Sequence, residues 1–226
     1  YDLPGNDSNS LNSNFINCIL AEEDHIWFGT ETGGINLLNP RRLSIRSYRH
    51  DKENLSSLSC NPVNAVYEDK YGTLWVGTVE GGLNRKEPGS ERFTHYTRER
   101  GGLSHNSVSA LTADRNNRLW VGTWGGGINW LDLKTPQSVQ KVISSQTSNG
   151  LPVDFIGALA YDSINNGVWI GANQGLYFYD IAKEKLVSPL AAQAAANVHR
   201  CIGSIIDSDG KLWIGCLEGV YIVDLH

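Results

Sequence analysis

The residues of this sequence that are best suited to binding chemistry recur at matching points along the chain. One set stands just ahead of short apolar runs and consists of Asn14, Asn61, Asn106, Asp154 and His199. A second set follows later apolar runs and includes Glu31, Glu80, Trp124, Asn173 and Glu218. Amides and carboxylates bind hydroxyl groups, and an indole face stacks on the C–H bonds of a sugar ring. If the fold brings the sets together, they predict a site for an oligosaccharide or another small polar ligand.

Trp124 is the most distinctive of these residues. The matching points elsewhere in the chain hold Glu31, Val79, Asn173 and Leu217, so packing does not require an indole there. Simpler roles stay open, because Asn ahead of a strand often hydrogen-bonds nearby backbone, and because Trp124 can pack on a neighbouring loop. The predicted ligand-binding residues are Trp124, Asn106, Asp154, His199, Glu80, Glu218, Asn61 and Asn173.

Signals for catalysis are weak. Glu80, Asp154, His199 and Glu218 could supply the acid and base of a lyase or glycosidase, but their spacing does not require it. No G-x-S-x-G, H-E-x-x-H or P-loop motif is present, and the six histidines are scattered without ligand spacing. We therefore predict no catalytic residue, no metal and no cofactor.

The elements that must position these residues belong to a repeat. Segments of one type recur five times, as in IWFGTETGGIN, LWVGTVEGGLN and LWVGTWGGGIN. Neighbouring tryptophans in these segments stand between 44 and 49 residues apart. A fixed period in this range indicates a repeat architecture. The anchors of the five units are Trp27, Trp75, Trp120, Trp169 and Trp213.

Each unit reads as four short antiparallel strands. In the second unit we predict strands at residues 63–67, 74–78, 83–86 and 92–96, separated by turns rich in Asp, Asn and Gly. Four such strands in about 45 residues form a β-propeller blade. A helical solenoid would need a 3.6-residue period, a β-sandwich does not demand five near-copies, and the marks of WD40 repeats are absent. The sequence predicts an all-β propeller in which Trp75, Trp120 and Trp213 are buried.

The whole chain, residues 1–226, is predicted to be one propeller domain or a segment of one. The fifth unit lacks a fourth strand, and Tyr1-Asp2 matches only the end of an outer strand. We favour an arc of a larger propeller over a ring closed by Tyr1-Asp2 beside residues 220–223, since two residues are short for a strand. The absence of Met also suggests an excised piece. An open edge at the fifth blade would favour self-association.

Four cysteines leave two alternatives open. A four-residue turn at residues 207–210 would pair Ile206 with Lys211 and place Cys201 opposite Cys216, where a disulfide is sterically conceivable. Two buried thiols are the alternative. Cys18 matches small residues of the other inner strands, and Cys60 falls on a loop. Without a CxxC spacing, a zinc site is not expected.

Composition excludes several classes of protein. With 226 residues, 40% hydrophobic content and 24 glycines, the sequence is that of a turn-rich globular protein. The net charge of −5 argues against nucleic-acid binding. The sequence has no apolar run long enough to span a bilayer and no signal peptide.

Together, the segments LSSLSCNPVNAVYED, LWVGTVEGGLN and RFTHY resemble the two-component regulator propeller repeat. The resemblance covers nearly the whole chain and is strongest between Leu55 and Asp132, while Ala172 and Cys216 depart from it. It implies a non-catalytic sensory module in the periplasmic or extracellular part of a bacterial membrane receptor. The expected partners are the remaining blades and a downstream histidine kinase or diguanylate cyclase. A propeller enzyme and a purely structural interaction scaffold remain as alternatives.

Overall fold

The computed structural model describes residues 10–100, 102–137, 139, 141–147, 150–187 and 198–225. These residues form nineteen β-strands and no helix, so none of them lies in a segment of the helical length and apolarity that crossing a bilayer requires. The strands make five antiparallel sheets, four of four strands and one of three, each in simple sequence order. This is the predicted β-propeller fold, with five blades in the chain.

By their contacts the residues group into two compact units, Tyr1–Gly101 with Asn106–Val108, and Gly102–His105 with Ser109–His226. The first unit contains blades one and two. Blade one consists of β1 (Ile16–Ala21), β2 (Ile26–Thr30), β3 (Ile35–Asn39) and β4 (Ser44–Tyr48). Blade two consists of β5 (Val63–Glu68), β6 (Leu74–Thr78), β7 (Gly82–Lys86) and β8 (Phe93–Tyr96). The bounds predicted for blade two are correct to within one residue.

Blades three to five belong to the second unit. Blade three consists of β9 (Val108–Ala113), whose first residue is grouped with the first unit, β10 (Arg118–Thr123), β11 (Ile128–Asp132) and β12 (Lys141–Ile143). Blade four consists of β13 (Ile156–Asp162), β14 (Gly167–Ala172), β15 (Gly175–Asp180) and β16 (Lys185–Val187). Blade five consists of β17 (Cys201–Ile206), β18 (Lys211–Cys216) and β19 (Gly219–Asp224). The predicted pairing of Tyr1-Asp2 with residues 220–223 lies outside the described residues.

The Thr-x-x-x-Gly spacing sets the turn between the second and third strands. In blades one to three the buried Thr hydroxyl donates to the carbonyl of Gly34, Gly82 or Gly127, at 2.8 to 2.9 Å. These glycines have φ of 79°, 81° and 71°, and a Cβ there would collide with a carbonyl oxygen of the fourth strand. Only Gly tolerates both conditions, so the repeated glycine fixes where the third strand begins.

In four of the five blades, an aspartate of the turn between the first two strands binds the anchor tryptophan. In blade two, Asp69 accepts a hydrogen bond from the Trp75 indole N–H at 2.9 Å and from the backbone N–H groups of Tyr71 and Thr73. Trp120 is bound in this way by Asp114, at 2.9 Å. Trp169 and Trp213 use Asp162 and Asp207. One side chain thus closes the turn between the first two strands and accepts the indole N–H, which is buried in blades two to four.

A glycine of the second strand lets the following blade approach. A Cβ on Gly29 would lie 2.6 Å from Val63 of the next inner strand, and one on Gly77 would lie 2.5 Å from Val108. In the second unit, Gly122 meets Ile156 and Gly171 meets Cys201, each at 2.7 Å. The first residue of each inner strand therefore fills a slot over the glycine of the preceding blade.

Blade five departs from this pattern. A Cβ on Gly215 would have no neighbour closer than 3.8 Å. Val220 is 65% exposed, whereas its equivalents Ile128 and Leu176 are 0% and 3% exposed. Trp75 and Trp120 are buried as predicted, but the prediction for Trp213 is wrong, because this side chain is 39% exposed. The physical reason is that no described strand covers this face of blade five.

The cysteine register is also corrected. Ile206 pairs with Leu212 and not with Lys211, because the turn is closed one residue later by the Asp207 carboxylate and backbone. A β-bulge between Cys201 and Gly203 then restores the predicted pairing of Cys201 with Cys216. Equivalent bulges occur between Ile16 and Cys18, Val63 and Ala65, and Ile156 and Ala158. All four cysteines are thiols in the structure.

Candidate functional site

The second unit brings two exposed aromatic residues together. Trp124 follows β10 and forms an isolated antiparallel bridge with Phe155, which immediately precedes β13. The backbone N–H groups of Gly125 and Gly127 both donate to the carbonyl of Asp154, at 3.0 Å. These bonds tie the turn of blade three to the entry of blade four. Trp124 and Phe155 nevertheless remain 42% and 56% exposed.

The same arrangement recurs between blades four and five. Gln174 forms an isolated antiparallel bridge with His199. The backbone carbonyl of Asn173 accepts a hydrogen bond from the backbone N–H of Arg200 at 3.1 Å. A cavity of about 470 Å³ lies over these junctions. Its walls include Trp124, Phe155, Asn173, Arg200, Ile202 and Leu217, and Cys201 also lines it. Its volume falls within the range of small-molecule sites.

Arg200 supplies the cavity's positive charge. Its backbone φ is 49°, a left-handed conformation that is uncommon for a residue with a side chain. Among the described residues no hydrogen bond or ion pair engages its guanidinium group, and its side chain is exposed. An uncommitted guanidinium has five donors with which to hold a carboxylate or a pair of hydroxyls.

Three of the predicted site residues hold their own loops. Asn61 accepts the backbone N–H of His50 and Asn106 that of Arg98, both at 2.7 Å. Asp154 accepts both the backbone N–H and the hydroxyl of Ser145, at 2.6 Å. These bonds secure the loops that lead into each inner strand, which is the simpler role that the sequence left open. In Asp154 they engage both carboxylate oxygens.

The structure places the other predicted site residues as follows. Trp124 and Asn173 line the cavity, and His199 stands beside it, next to Arg200. Glu218 is an exposed residue of the turn between β18 and β19 and does not line it. In the first unit, Glu80 is exposed with φ of 62°, and its N–H donates to the Ser107 hydroxyl at 3.4 Å. Asn61 and Asn106 also belong to that unit.

Phe155 and Arg200 were missed by the sequence analysis. Both stand immediately before an inner strand, at the point where other blades hold Phe15, Pro62 and Ser107. An aromatic or cationic residue at this variable point was the available signal. It is weak, because the chemistry becomes visible only when Trp124 and Phe155 are seen on one surface.

This arrangement is suited to binding. Two aromatic faces can stack on apolar ring surfaces, while the Asn173 amide and the Arg200 guanidinium can hydrogen-bond oxygen atoms. Among the described residues, no ion pair links Asp154, His199 and Glu218, and no cluster of three or more potential metal ligands occurs.

Comparison with known proteins bears on the repeat type. Residues 57–80 and 102–125 match the family described as Two component regulator propeller. These two segments are two-component regulator propeller repeats. The matched regions contain the first two strands of blades two and three, and they include Asn61, Glu80, Asn106 and Trp124 among the predicted site residues. No protein with curated annotation matches the chain.

Solved structures of similar fold include the extracellular domains of two proteins of B. thetaiotaomicron. That of BT3049 of B. thetaiotaomicron, assigned to a hybrid two component system, is 23% identical over 99% of this chain, with a TM-score of 0.80. That of BT4673 of B. thetaiotaomicron, assigned to a one component system, is 25% identical over 95% of this chain, with a TM-score of 0.76. This chain spans 29% and 30% of those two chains.

A streptogramin B lyase structure is also similar in fold, at 18% identity over 95% of this chain and 70% of its own, with a TM-score of 0.66. At this identity the likeness concerns the fold alone. The chain thus carries two regulator-type propeller repeats and is similar in fold to the extracellular domains of BT3049 and BT4673.

Proposed function

We propose that this chain is a ligand-sensing module in the extracytoplasmic part of a bacterial signalling receptor, and that it is not an enzyme. The regulator propeller repeats and the extracellular domains of similar fold support this assignment. In such a receptor the propeller binds a ligand outside the membrane, and a downstream output domain responds.

The observation that carries the proposal is the pair of exposed aromatic side chains at the cavity of the second unit. Exposed aromatic residues in a concave site, with a few polar groups around them, are typical of ligand recognition. Trp124 and Phe155 supply stacking surfaces, and Asn173 and Arg200 supply hydrogen-bond donors. A saccharide presents the complementary chemistry, because one ring carries both C–H faces and hydroxyl groups.

Stacking on Trp124 contributes about 0.5–1.5 kcal/mol, by analogy with aromatic pairs. The polar groups contribute specificity, because a bound ligand that covers a donor without accepting its hydrogen bond leaves that donor unpaired, which is costly. Loss of Trp124 should therefore weaken binding by about two- to tenfold.

A calorimetric screen of neutral and acidic oligosaccharides tests this proposal. We expect Trp124→Ala to weaken the binding of any saccharide found, while the unfolding midpoint stays unchanged. Tyr71→Ala is the matched control, since Tyr71 is 47% exposed on a turn of the first unit. Equal affinity in wild type and Trp124→Ala would exclude this cavity, and chemical turnover of the saccharide would instead favour a lyase or glycosidase.

The exposed face of blade five supports a second part of the proposal. In the other blades the first residue of the following inner strand lies over the second-strand glycine, and the residues equivalent to Trp213 and Val220 are buried. We propose that another blade of this repeat type packs against Trp213, Gly215 and Val220 in the receptor. An exposed sheet face of this kind otherwise favours association.

Hydroxyl-radical footprinting tests whether another blade packs on this face of blade five. The peptide containing Trp213 should be modified strongly in the 226-residue chain and protected in a longer receptor that contains it. Equal modification in both would show that no blade covers this face. The exposed Leu55 in the first unit provides a reference that should react alike in both proteins.

A further inference from the structure

Two cysteines of blade five face each other across neighbouring strands. Cys201 of β17 and Cys216 of β18 are direct partners in the ladder, and their sulfur atoms lie 3.5 Å apart. Both side chains are buried, at 5% and 7% exposure. Directly opposed residues of antiparallel strands have Cα and Cβ separations within the range that a disulfide accepts. Only a small movement of the sulfur atoms separates this pair from a bond.

The β-bulge is what creates this pair. If the register of Ile206 with Leu212 continued without it, Cys201 would stand opposite Leu217. At the equivalent bulges, Val63 faces Thr78 and Ile156 faces Ala172. A feature shared by the blades thus brings two thiols together in blade five.

The other cysteines have no comparable partner. Cys18 pairs with Gly29 in the ladder of blade one, and burial raises the pKa of its thiol to about 12. Cys60 lies in the loop that leads into β5, and both residues belong to the first unit. Neither is joined to another thiol by a described contact, so they serve as internal controls.

Access and reactivity have separate physical controls. Cys201 is a wall residue of the cavity of the second unit, but its side chain is 5% exposed and packs over Gly171, which restricts the access of a thiol reagent in the folded protein. Burial, and then the hydrogen bond from Cys216, raise the pKa of the Cys201 thiol above its usual range. Because the thiolate is the attacking species, exchange in the folded protein should be slow. Oxidation should be faster while blade five is open or still folding.

We propose that Cys201 and Cys216 are an oxidation site and form a disulfide within blade five when a disulfide oxidant is present. One thiolate attacks the oxidant's S–S bond, displaces one thiol from it and forms a mixed disulfide. The second thiolate then attacks the protein sulfur of that mixed disulfide and displaces the other thiol. Two protein thiols lose two protons and two electrons, and the oxidant is reduced to two thiols.

The bond would reinforce a blade in which the described residues form three strands, against four in each of the other blades. It would link positions 15 residues apart and hold the bulge that places Cys201 in the slot over Gly171. Cross-links of this kind stabilise by restricting the unfolded chain. The oxidised protein should therefore unfold at a higher denaturant concentration than the reduced protein.

Oxidative refolding of the complete chain is the test. The protein is unfolded, reduced and refolded in mixtures of oxidised and reduced glutathione. Its thiols are then alkylated after denaturation and mapped by mass spectrometry. We expect a species lighter by two hydrogens, with a cross-linked peptide containing Cys201 and Cys216. A parallel sample is oxidised in the folded state, and we expect the same bond to form there more slowly.

Single substitutions separate this pair from the other thiols. Cys201→Ser and Cys216→Ser should abolish the cross-link. In each of these variants the oxidised and reduced samples should then have the same denaturation midpoint. Cys18→Ser and Cys60→Ser should retain the cross-link. The proposal is overturned if Cys201 and Cys216 are both alkylated in the refolded protein at every glutathione ratio. It is also overturned if Cys201 is linked to Cys18 or Cys60.

Discussion

The indole N–H of Trp27 donates to Glu68 of the following blade, at 2.8 Å, whereas the other four anchor tryptophans use an aspartate of their own turn. Glu68 also contacts the Nε2 of His25 at 2.8 Å, and Asp24 contacts the Nδ1 at 2.6 Å. The anchor of blade one therefore depends on its neighbour. A titratable imidazole lies within that connection.

This connection predicts a pH dependence of stability. Burial alone would lower the pKa of His25, but its hydrogen bonds with Glu68 and Asp24 outweigh burial and raise the pKa. A folded pKa above the unfolded value of about 6.5 means that protonation stabilises the fold. This contribution is fully present below about pH 6.5 and is lost as the pH rises through the raised folded value.

Guanidinium unfolding curves between pH 6 and 9 measure this effect. The midpoint should fall with rising pH in the wild type and vary less in His25→Gln. His199→Gln, an exposed histidine of the second unit, should retain the wild-type slope. An unchanged slope in His25→Gln would show that the imidazole is not the responsible group.

Removal of the turn carboxylate should lower the free energy of unfolding most where that carboxylate is buried. Asp114 accepts hydrogen bonds from Trp120 and from the Arg118 side chain, at 2.9 and 2.7 Å. Asp114→Ala leaves both donors without this acceptor, and breaking a buried charge pair costs about 3–5 kcal/mol. Asp207→Ala, at the equivalent but more exposed turn, should be milder. Denaturant titration of both variants checks this order.

Replacement of an anchor tryptophan should also destabilise the protein more where the indole is buried. Trp120→Ala should cost about 3–5 kcal/mol of unfolding free energy, since this indole is 1% exposed. Trp213→Ala should cost clearly less, because 39% of that side chain is already exposed. Equal losses in the two variants, measured by chemical denaturation, would contradict the assignment of an uncovered face to blade five.

Glycine slots permit a matched pair of substitutions. Gly122→Val must displace Ile156, and overpacking of this kind costs about 1–3 kcal/mol. Gly215→Val meets an open slot, and Val suits a strand better than Gly does, so stability should be unchanged or increased. Thermal unfolding compares them. A large loss in Gly215→Val would mean that its slot is occupied.

The sequence by itself determined where the strands and turns lie within a blade. The tryptophan period, the alternation within LWVGT and the glycines of the turns are local patterns, and local geometry is what such patterns encode. They predicted the strands of blade two to within one residue and the burial of Trp75 and Trp120. They also predicted the pairing of Cys201 with Cys216, although the intervening register was one residue off.

Tertiary structure decided the contacts between blades. The partner of Trp27, the exposure of Trp213 and the meeting of Trp124 with Phe155 all depend on residues from neighbouring repeats. Repeat alignment treats equivalent positions as equal, but each one is covered or exposed according to what the next blade places against it. Arg200 gains its place in the cavity for the same reason, because the junction of blades four and five sets its surroundings.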